Sequence, residues 1–245
     1  MLDLIGTTVI TAAIALNLNA TITMMPLSSA QKLTTVVIAG LWIGLAIALA
    51  NTGIYSPTAT PVPVVGVMAA LPLVVVGVGA LLFAGMRDAL MALPVPLLVG
   101  LNIMRALGAL FLLLAAQGRL SGPFPQSAGW GDIIVGLTAI PLMAAVARNP
   151  GGNRGLLLAW NAFGTLDLIV AVALGVTSAP GSPLQLFGGT IGSAAIWTLP
   201  WSNIPTLLVP FYLITHGIIF AKMARASGVA TAQPDHGLQA SSSRL

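Results

Sequence analysis

The sequence predicts an all-α protein, a polytopic transmembrane bundle of about seven helices. The 245 residues are 57% hydrophobic and only 6% charged, and the mean hydropathy is +1.01. The apolar residues fall into runs of roughly twenty, the length that a helix needs to cross a hydrocarbon core of about 30 Å. Most of the lysines and arginines lie between these runs. Such a chain leaves little room for a separate soluble domain.

Each predicted span is bounded by helix breakers or charges. The spans are 3–25, 34–55, 62–86, 90–116, 130–147, 155–176 and 201–223. The gaps hold Pro26 to Lys32, Ser56-Pro57, Arg87-Asp88, Gly118 to Gly129, Asn149-Pro150-Gly151-Gly152 and Ala179 to Pro183. The first run carries Asp3 and lacks a positively charged segment before it. We therefore expect a first spanning helix there rather than a cleaved signal peptide.

Two segments fall outside these spans. The connection 177–200 is long and half apolar, so it can form a surface helix, a re-entrant segment or a lid, with the surface helix favoured. Residues 227–245 are rich in serine, alanine and glutamine, a composition typical of a disordered tail. The transmembrane bundle is accordingly assigned to residues 1–226 and a disordered cytoplasmic tail to 227–245.

The basic residues predict the orientation of the bundle. One face holds seven of them, namely Lys32, Arg87, Arg148, Arg154, Lys222, Arg225 and Arg244. The opposite face holds Arg119 alone. Because cytoplasmic loops carry an excess of lysine and arginine, the amino terminus is predicted outside and the carboxyl terminus in the cytoplasm.

Composition and motifs exclude several classes of function. The chain has no cysteine, which excludes disulfides, thiol nucleophiles, iron–sulfur clusters and thiolate metal sites. The pI of the chain is near 10.4, but its basic residues form no cluster along the sequence. No nucleic-acid binding is therefore predicted. The sequence holds no His-Glu-x-x-His, Walker, dinucleotide or Gly-x-Ser-x-Gly motif. We therefore predict no metal, no cofactor and no catalytic residue.

Polar residues inside three successive spans form the candidate site. Arg105 and Asp167 lie in the middle of their apolar runs, both about 17–18 Å from the basic ends of their helices. A charge at that depth costs roughly 2.5–3.5 kcal/mol, so it normally faces the bundle interior and finds a partner. Arg105 and Asp167 are therefore predicted to pair. Asn102 shares a helix side with Arg105 because the two are three residues apart.

The other candidate residues are expected at different depths. Asp132 is about 22 Å from the basic end, towards the outer mouth, whereas Asn161 and His216 are both about 9 Å up, on the inner side. A structural interpretation competes with a functional one. The pair can simply hold three helices in register, Asp132 can cap a helix that starts near Trp130, and His216 can be a hydrogen-bonded core residue.

Three sequence features carry a family resemblance. They are R-x-x-G-x-x-F-L-x-L at Arg105–Leu114, GWGDIIVGLTAIP at 129–141, and the span with Asn161 and Asp167. Over roughly 94–220 the chain resembles a group of bacterial multi-pass membrane proteins with no assigned activity. The resemblance implies the bacterial cytoplasmic (inner) membrane and supplies no mechanism.

The leading functional hypothesis is binding or translocation of a small polar or anionic solute, or of protons, by a protein embedded in the lipid bilayer. Arg105 would anchor charge, and Asp167 would be its partner and proton carrier. One alternative is a membrane-embedded enzyme or redox subunit acting on a lipid, quinone or isoprenoid. Another is a non-catalytic partner or sensor subunit.

Overall fold

The computed structural model describes residues 1–60, 63–149 and 151–231, with side chains described as far as residue 226. Within these residues the chain is helical and no strand forms. The α-helices are α1 Leu2–Met24, α2 Ser29–Asn51, α3 Val64–Leu82, α4 Ala84–Ala92, α5 Val95–Leu101, α6 Ala109–Ala116, α7 Phe124–Arg148, α8 Arg154–Thr177 and α9 Val209–Thr231. The predicted all-α fold class is confirmed.

Seven helical segments of the described chain are long and apolar enough to cross a membrane. Five are α1, α2, α3, α7 and α8. The fourth in chain order, called span four, runs through Val95–Ala116, and the last, called span seven, runs through Ile204–Ala226. Of the predicted tail 227–245, the part beyond Thr231 lies outside the described residues.

Several helices begin at residues that differ from the predicted boundaries. Helix α2 begins at Ser29, five residues before the predicted start, because Ser28 and Gln31 form a reciprocal capping box. Lys32 therefore lies in the first turn of α2 rather than in a gap. Arg87 and Asp88 likewise lie in a helix, α4, which follows a break at Phe83.

Helix α7 begins at Phe124, earlier than the predicted 130. Pro123 precedes it and Pro125 stands in its first turn, where a proline's missing N–H would be unpaired in any case. Asp132 is therefore about two turns inside the helix. The alternative interpretation of Asp132 as a helix cap is therefore wrong.

Two spans depart from α-helical geometry over part of their length. Span four changes to a 3-10 helix over Asn102–Gly108, between α5 and α6. Span seven begins with a π-helical turn at Ile204–Leu208. Seven residues is long for a 3-10 segment, and such a stretch inside a helix often marks a functional hinge or a sequence under strain.

The connection between α8 and span seven does not form the surface helix that the composition favours. It consists of turns and a 3-10 turn at Ala194–Trp197. Ser193 N–H donates to the Ser178 carbonyl, and Ser121 Oγ donates to the Gly188 carbonyl. The connection thus folds onto the turn before α7 and covers one end of the bundle.

The two ends of the bundle differ in charge. At one end Asp3 accepts hydrogen bonds from Arg119 Nη1 and Trp201 Nε1, each at 2.8 Å; we call this end the Asp3 face. At the other end Arg154 donates to the Met223 carbonyl at 2.9 Å, and Lys222 donates to the Met91 carbonyl. The second end, called the basic face, also holds the other bases between spans, namely Lys32, Arg87 and Arg148.

Candidate functional site

Arg105 lies at the centre of the site, on the 3-10 segment of span four, with its side chain 0% exposed. Its Nε donates to Asp132 Oδ1 at 2.7 Å, and its Nη2 donates to Asp167 Oδ2 at 2.5 Å. Its Nη1 donates to the Gly164 carbonyl oxygen at 3.1 Å and lies 3.1 Å from His216 Nε2. One guanidinium therefore joins span four, α7, α8 and span seven.

His216 is held in the neutral form by its hydrogen bonds. Arginine only donates hydrogen bonds, so His216 Nε2 must accept from Arg105. The proton of the ring is then on Nδ1, 2.8 Å from Asn161 Oδ1. Asn161 Nδ2 in turn donates to the His216 carbonyl at 3.1 Å. The two contacts assign the nitrogen and the oxygen of the Asn161 side-chain amide. The five residues Arg105, Asp132, Asp167, Asn161 and His216 are called the arginine cluster below.

Glycines make room for the carboxylates. A Cβ atom on Gly131 would lie 1.6 Å from Asp167 Oδ1, and one on Gly108 would lie 2.3 Å from the Cβ of Asp132. Real Cβ atoms do not approach other atoms so closely, so neither position accepts a larger residue without movement. Gly108 and Gly131 belong to the motifs R-x-x-G and GWGD. Both motifs are thus explained by the contacts of Arg105.

Two further glycines bring the helices themselves together. A Cβ on Gly136 would lie 2.4 Å from the backbone nitrogen of Ala106, and one on Gly164 would lie 2.7 Å from the His216 ring. Gly136 therefore allows α7 to pack closely against the 3-10 segment. Gly136 and Ala139 are both buried, and small residues of this kind let helices approach closely.

Asn102 is buried beside the cluster without joining it. Its Nδ2 donates to the Leu98 carbonyl at 3.0 Å and lies 3.5 Å from Thr215 Oγ1. Its Oδ1 is buried and has no hydrogen-bond partner. Asn102 therefore contacts α5 and span seven and makes no hydrogen bond to the arginine cluster.

A small cavity of about 30 Å³ adjoins Arg105 and Asp132, which is room for about one or two water molecules. Tyr212 is its third polar lining residue. The Tyr212 hydroxyl accepts from Asn17 Nδ2 at 3.1 Å, and the Arg105 Cζ lies 5.9 Å from the centre of the Tyr212 ring. Tyr212 is a residue of the site that the sequence does not identify; it is four residues before His216, on the same side of span seven.

The predicted contact between Arg105 and Asp167 is confirmed. Asp132, predicted at an outer mouth, and Asn161 with His216, predicted on an inner side, all belong to the arginine cluster. Arg105 contacts both groups, Asp132 through Nε at 2.7 Å and His216 through Nη1 at 3.1 Å. His216 is 0% exposed, so the prediction that it faces the interior is confirmed.

The cluster carries unequal charge. Arg105 supplies one positive charge and the two carboxylates supply two negative charges when both are ionised. Among the ion pairs of the described residues no other cation contacts Asp132 or Asp167. Within that part of the chain no three His, Asp or Glu side chains form a metal-binding group. The two carboxylates, when ionised, therefore exceed the guanidinium by one negative charge.

A family model, the domain of unknown function DUF8737, matches residues 62–224. The match includes all five residues of the arginine cluster and the cavity residues of span four and span seven, and it begins after α2. No curated protein and no solved structure matches the chain.

Proposed function

The chain belongs to the family of the domain of unknown function DUF8737, and from its site we propose that it is an integral membrane protein that binds and passes on protons at the arginine cluster. The observation that carries this proposal is one guanidinium between two carboxylates, with Nε on Asp132 and Nη2 on Asp167. When both carboxylates are ionised, the cluster has a net charge of about −1. In a low-dielectric interior such an excess favours uptake of a proton by one carboxylate.

Anion binding has less support from the same contacts. A guanidinium has five N–H donors, and four of those of Arg105 are directed at Asp132, Asp167, Gly164 and His216. An anion would have to displace a carboxylate that already neutralises the arginine. Of the solutes expected from the sequence, the proton therefore fits the geometry best.

Infrared titration of the purified protein tests proton binding. Lowering the pH should produce the C=O stretch of one protonated carboxylic acid of the cluster, in addition to the bands of the carboxyl groups outside the cluster. Asp132→Asn and Asp167→Asn should each remove that band, because the remaining carboxylate is balanced by Arg105. Asp88→Asn is the control, since Asp88 is 69% exposed on the basic face. A band that persists in both cluster variants would contradict proton binding by the cluster.

Proton movement is tested in proteoliposomes that contain a pH-sensitive dye. After an external acid pulse, the wild type and Asp88→Asn should acidify the lumen faster than protein-free vesicles. Asp167→Asn should fall to the rate of protein-free vesicles. If Asp167→Asn lacks the infrared band of the protonated carboxylic acid but keeps the full proton flux, protons cross the membrane elsewhere in the protein.

We also propose that the protein lies in the bacterial cytoplasmic membrane, with the Asp3 face outside and the basic face in the cytoplasm. The support is the positive-inside rule applied to the two faces. Reporter fusions after Arg87, after Arg154 and at the carboxyl terminus should all report cytoplasm. A fusion near Gly122 should report the outside, and a cytoplasmic signal there would contradict this orientation.

A further inference from the structure

The connection between α8 and span seven, residues 178–203, exposes apolar side chains at the Asp3 face. Leu184 is 60% exposed, Leu186 73% and Phe187 44%; these three residues are called the apolar edge. No Asp, Glu, Lys, Arg or His occurs in residues 178–203. A connection that faces water normally carries charged side chains, whereas a group of exposed apolar residues marks a contact with protein or membrane.

Polar groups around the apolar edge are paired within the protein. Gln185 Oε1 accepts from the Gly181 N–H at 2.9 Å, and its Nε2 donates to the Gly189 carbonyl at 2.6 Å. Ser121 Oγ, from the turn before α7, donates to the Gly188 carbonyl at 2.6 Å. Backbone groups near hydrocarbon need partners in the protein, because lipid tails offer none. The connection therefore combines paired polar groups with apolar side chains that have no cover in the protein.

Hydrogen bonds to the end of α8 set the depth of the apolar edge. The N–H groups of Leu186 and Phe187 donate to the Thr177 carbonyl at 2.7 and 3.0 Å. Thr177 is the last of the 24 residues of α8. A helix of that length measures about 36 Å against about 30 Å of hydrocarbon, so Thr177 of a centred helix lies about 3 Å outside the hydrocarbon. Leu186 and Phe187 are thus level with the lipid headgroups, within reach of the acyl chains.

We propose that the apolar edge is a lipid-binding surface, inserted at the boundary between headgroups and acyl chains of the leaflet at the Asp3 face. Phospholipid is the occupant that the depth selects, because Thr177 ends a helix that is long and apolar enough to cross the membrane and lipid surrounds such an end. Apolar side chains at this boundary leave water without burying a charge. The surface is separate from the arginine cluster and independent of proton binding there.

The natural absence of cysteine makes a direct test simple, because a single-cysteine variant carries one bimane fluorophore. Three exposed sites are compared in lipid nanodiscs: Leu186→Cys, Leu166→Cys in the middle of α8 at 59% exposed, and Asp88→Cys on the basic face at 69% exposed. The quenchers are phospholipids with a nitroxide at acyl carbon 5 or 12, and aqueous iodide. Size-exclusion profiles restrict the comparison to folded variants, and Phe187→Cys replaces Leu186→Cys if that variant fails to fold.

Bimane at Leu186→Cys should be quenched by the shallow nitroxide at least about twofold more than at Asp88→Cys, and by iodide at least about twofold less, because its site lies in the interface. Leu166→Cys should respond most to the deep nitroxide. Three results would overturn the lipid surface. Leu186→Cys could follow Asp88→Cys, which means water; it could follow Leu166→Cys, which means a re-entrant segment; or it could resist both kinds of quencher, which means cover by a second copy of the chain. The infrared titration reports on a different site, so either proposal can fail without the other.

Discussion

Arg105→Gln should lower the unfolding temperature more than any single substitution of its partners. Without the guanidinium, Asp132 and Asp167 share a buried site in which no cation contacts them. Breaking a buried ion pair from one side typically costs about 3–5 kcal/mol, because the remaining charge is uncompensated. Asp132→Asn or Asp167→Asn still leaves one carboxylate against the arginine. Each should cost less, about the 1.5–3 kcal/mol of one charge-assisted hydrogen bond.

Thermal unfolding of the purified variants measures this difference. Arg105→Leu with Asp167→Leu should lose less stability than the sum of the two single variants, since the double variant removes both members of the contact. Strictly additive losses would mean that the two side chains do not interact. If the cluster only holds helices together, a stable double variant should keep the proton flux; if the cluster carries protons, that variant should fold and lose it.

Gly131→Ala should also lower the stability of the protein, because its new methyl group would occupy the place of a site carboxylate. The added Cβ would lie 1.6 Å from Asp167 Oδ1, so Asp167 or α7 must move and the contact with Arg105 must lengthen. Overpacking of this kind costs about 1–3 kcal/mol. The loss exceeds the gain of at most about 1 kcal/mol that alanine brings to a helix over glycine.

Gly217→Ala is the matched control, since Gly217 follows His216 in α9 and a Cβ there meets nothing within 4 Å. In a thermal unfolding experiment, Gly217→Ala should leave the unfolding temperature unchanged or raise it slightly. In an Asp167→Ala background the cost of Gly131→Ala should largely disappear, because the atom that it strikes is gone. An undiminished cost in that background would place the clash elsewhere along α7.

The position of each residue along its apolar run predicted those features of the structure that depend on depth in the membrane. Hydrophobicity sorts residues along the membrane normal, so the seven spans follow from run length. The burial of His216 and the contact between Arg105 and Asp167 follow from the cost of an unpaired polar group in hydrocarbon. Each of these expectations needs only one coordinate, the distance along a helix.

Tertiary structure decided what depends on how the helices face one another. The 3-10 segment at Asn102–Gly108 turns Arg105 so that it meets Asp132 as well as Asp167, and Gly131 and Gly164 allow the backbones to come close enough. His216 belongs to the same cluster through the contact of its Nε2 with Arg105 Nη1 at 3.1 Å. These contacts depend on the rotation and spacing of helices far apart in sequence, which arise from packing all their side chains at once rather than from the hydrophobicity of any single span.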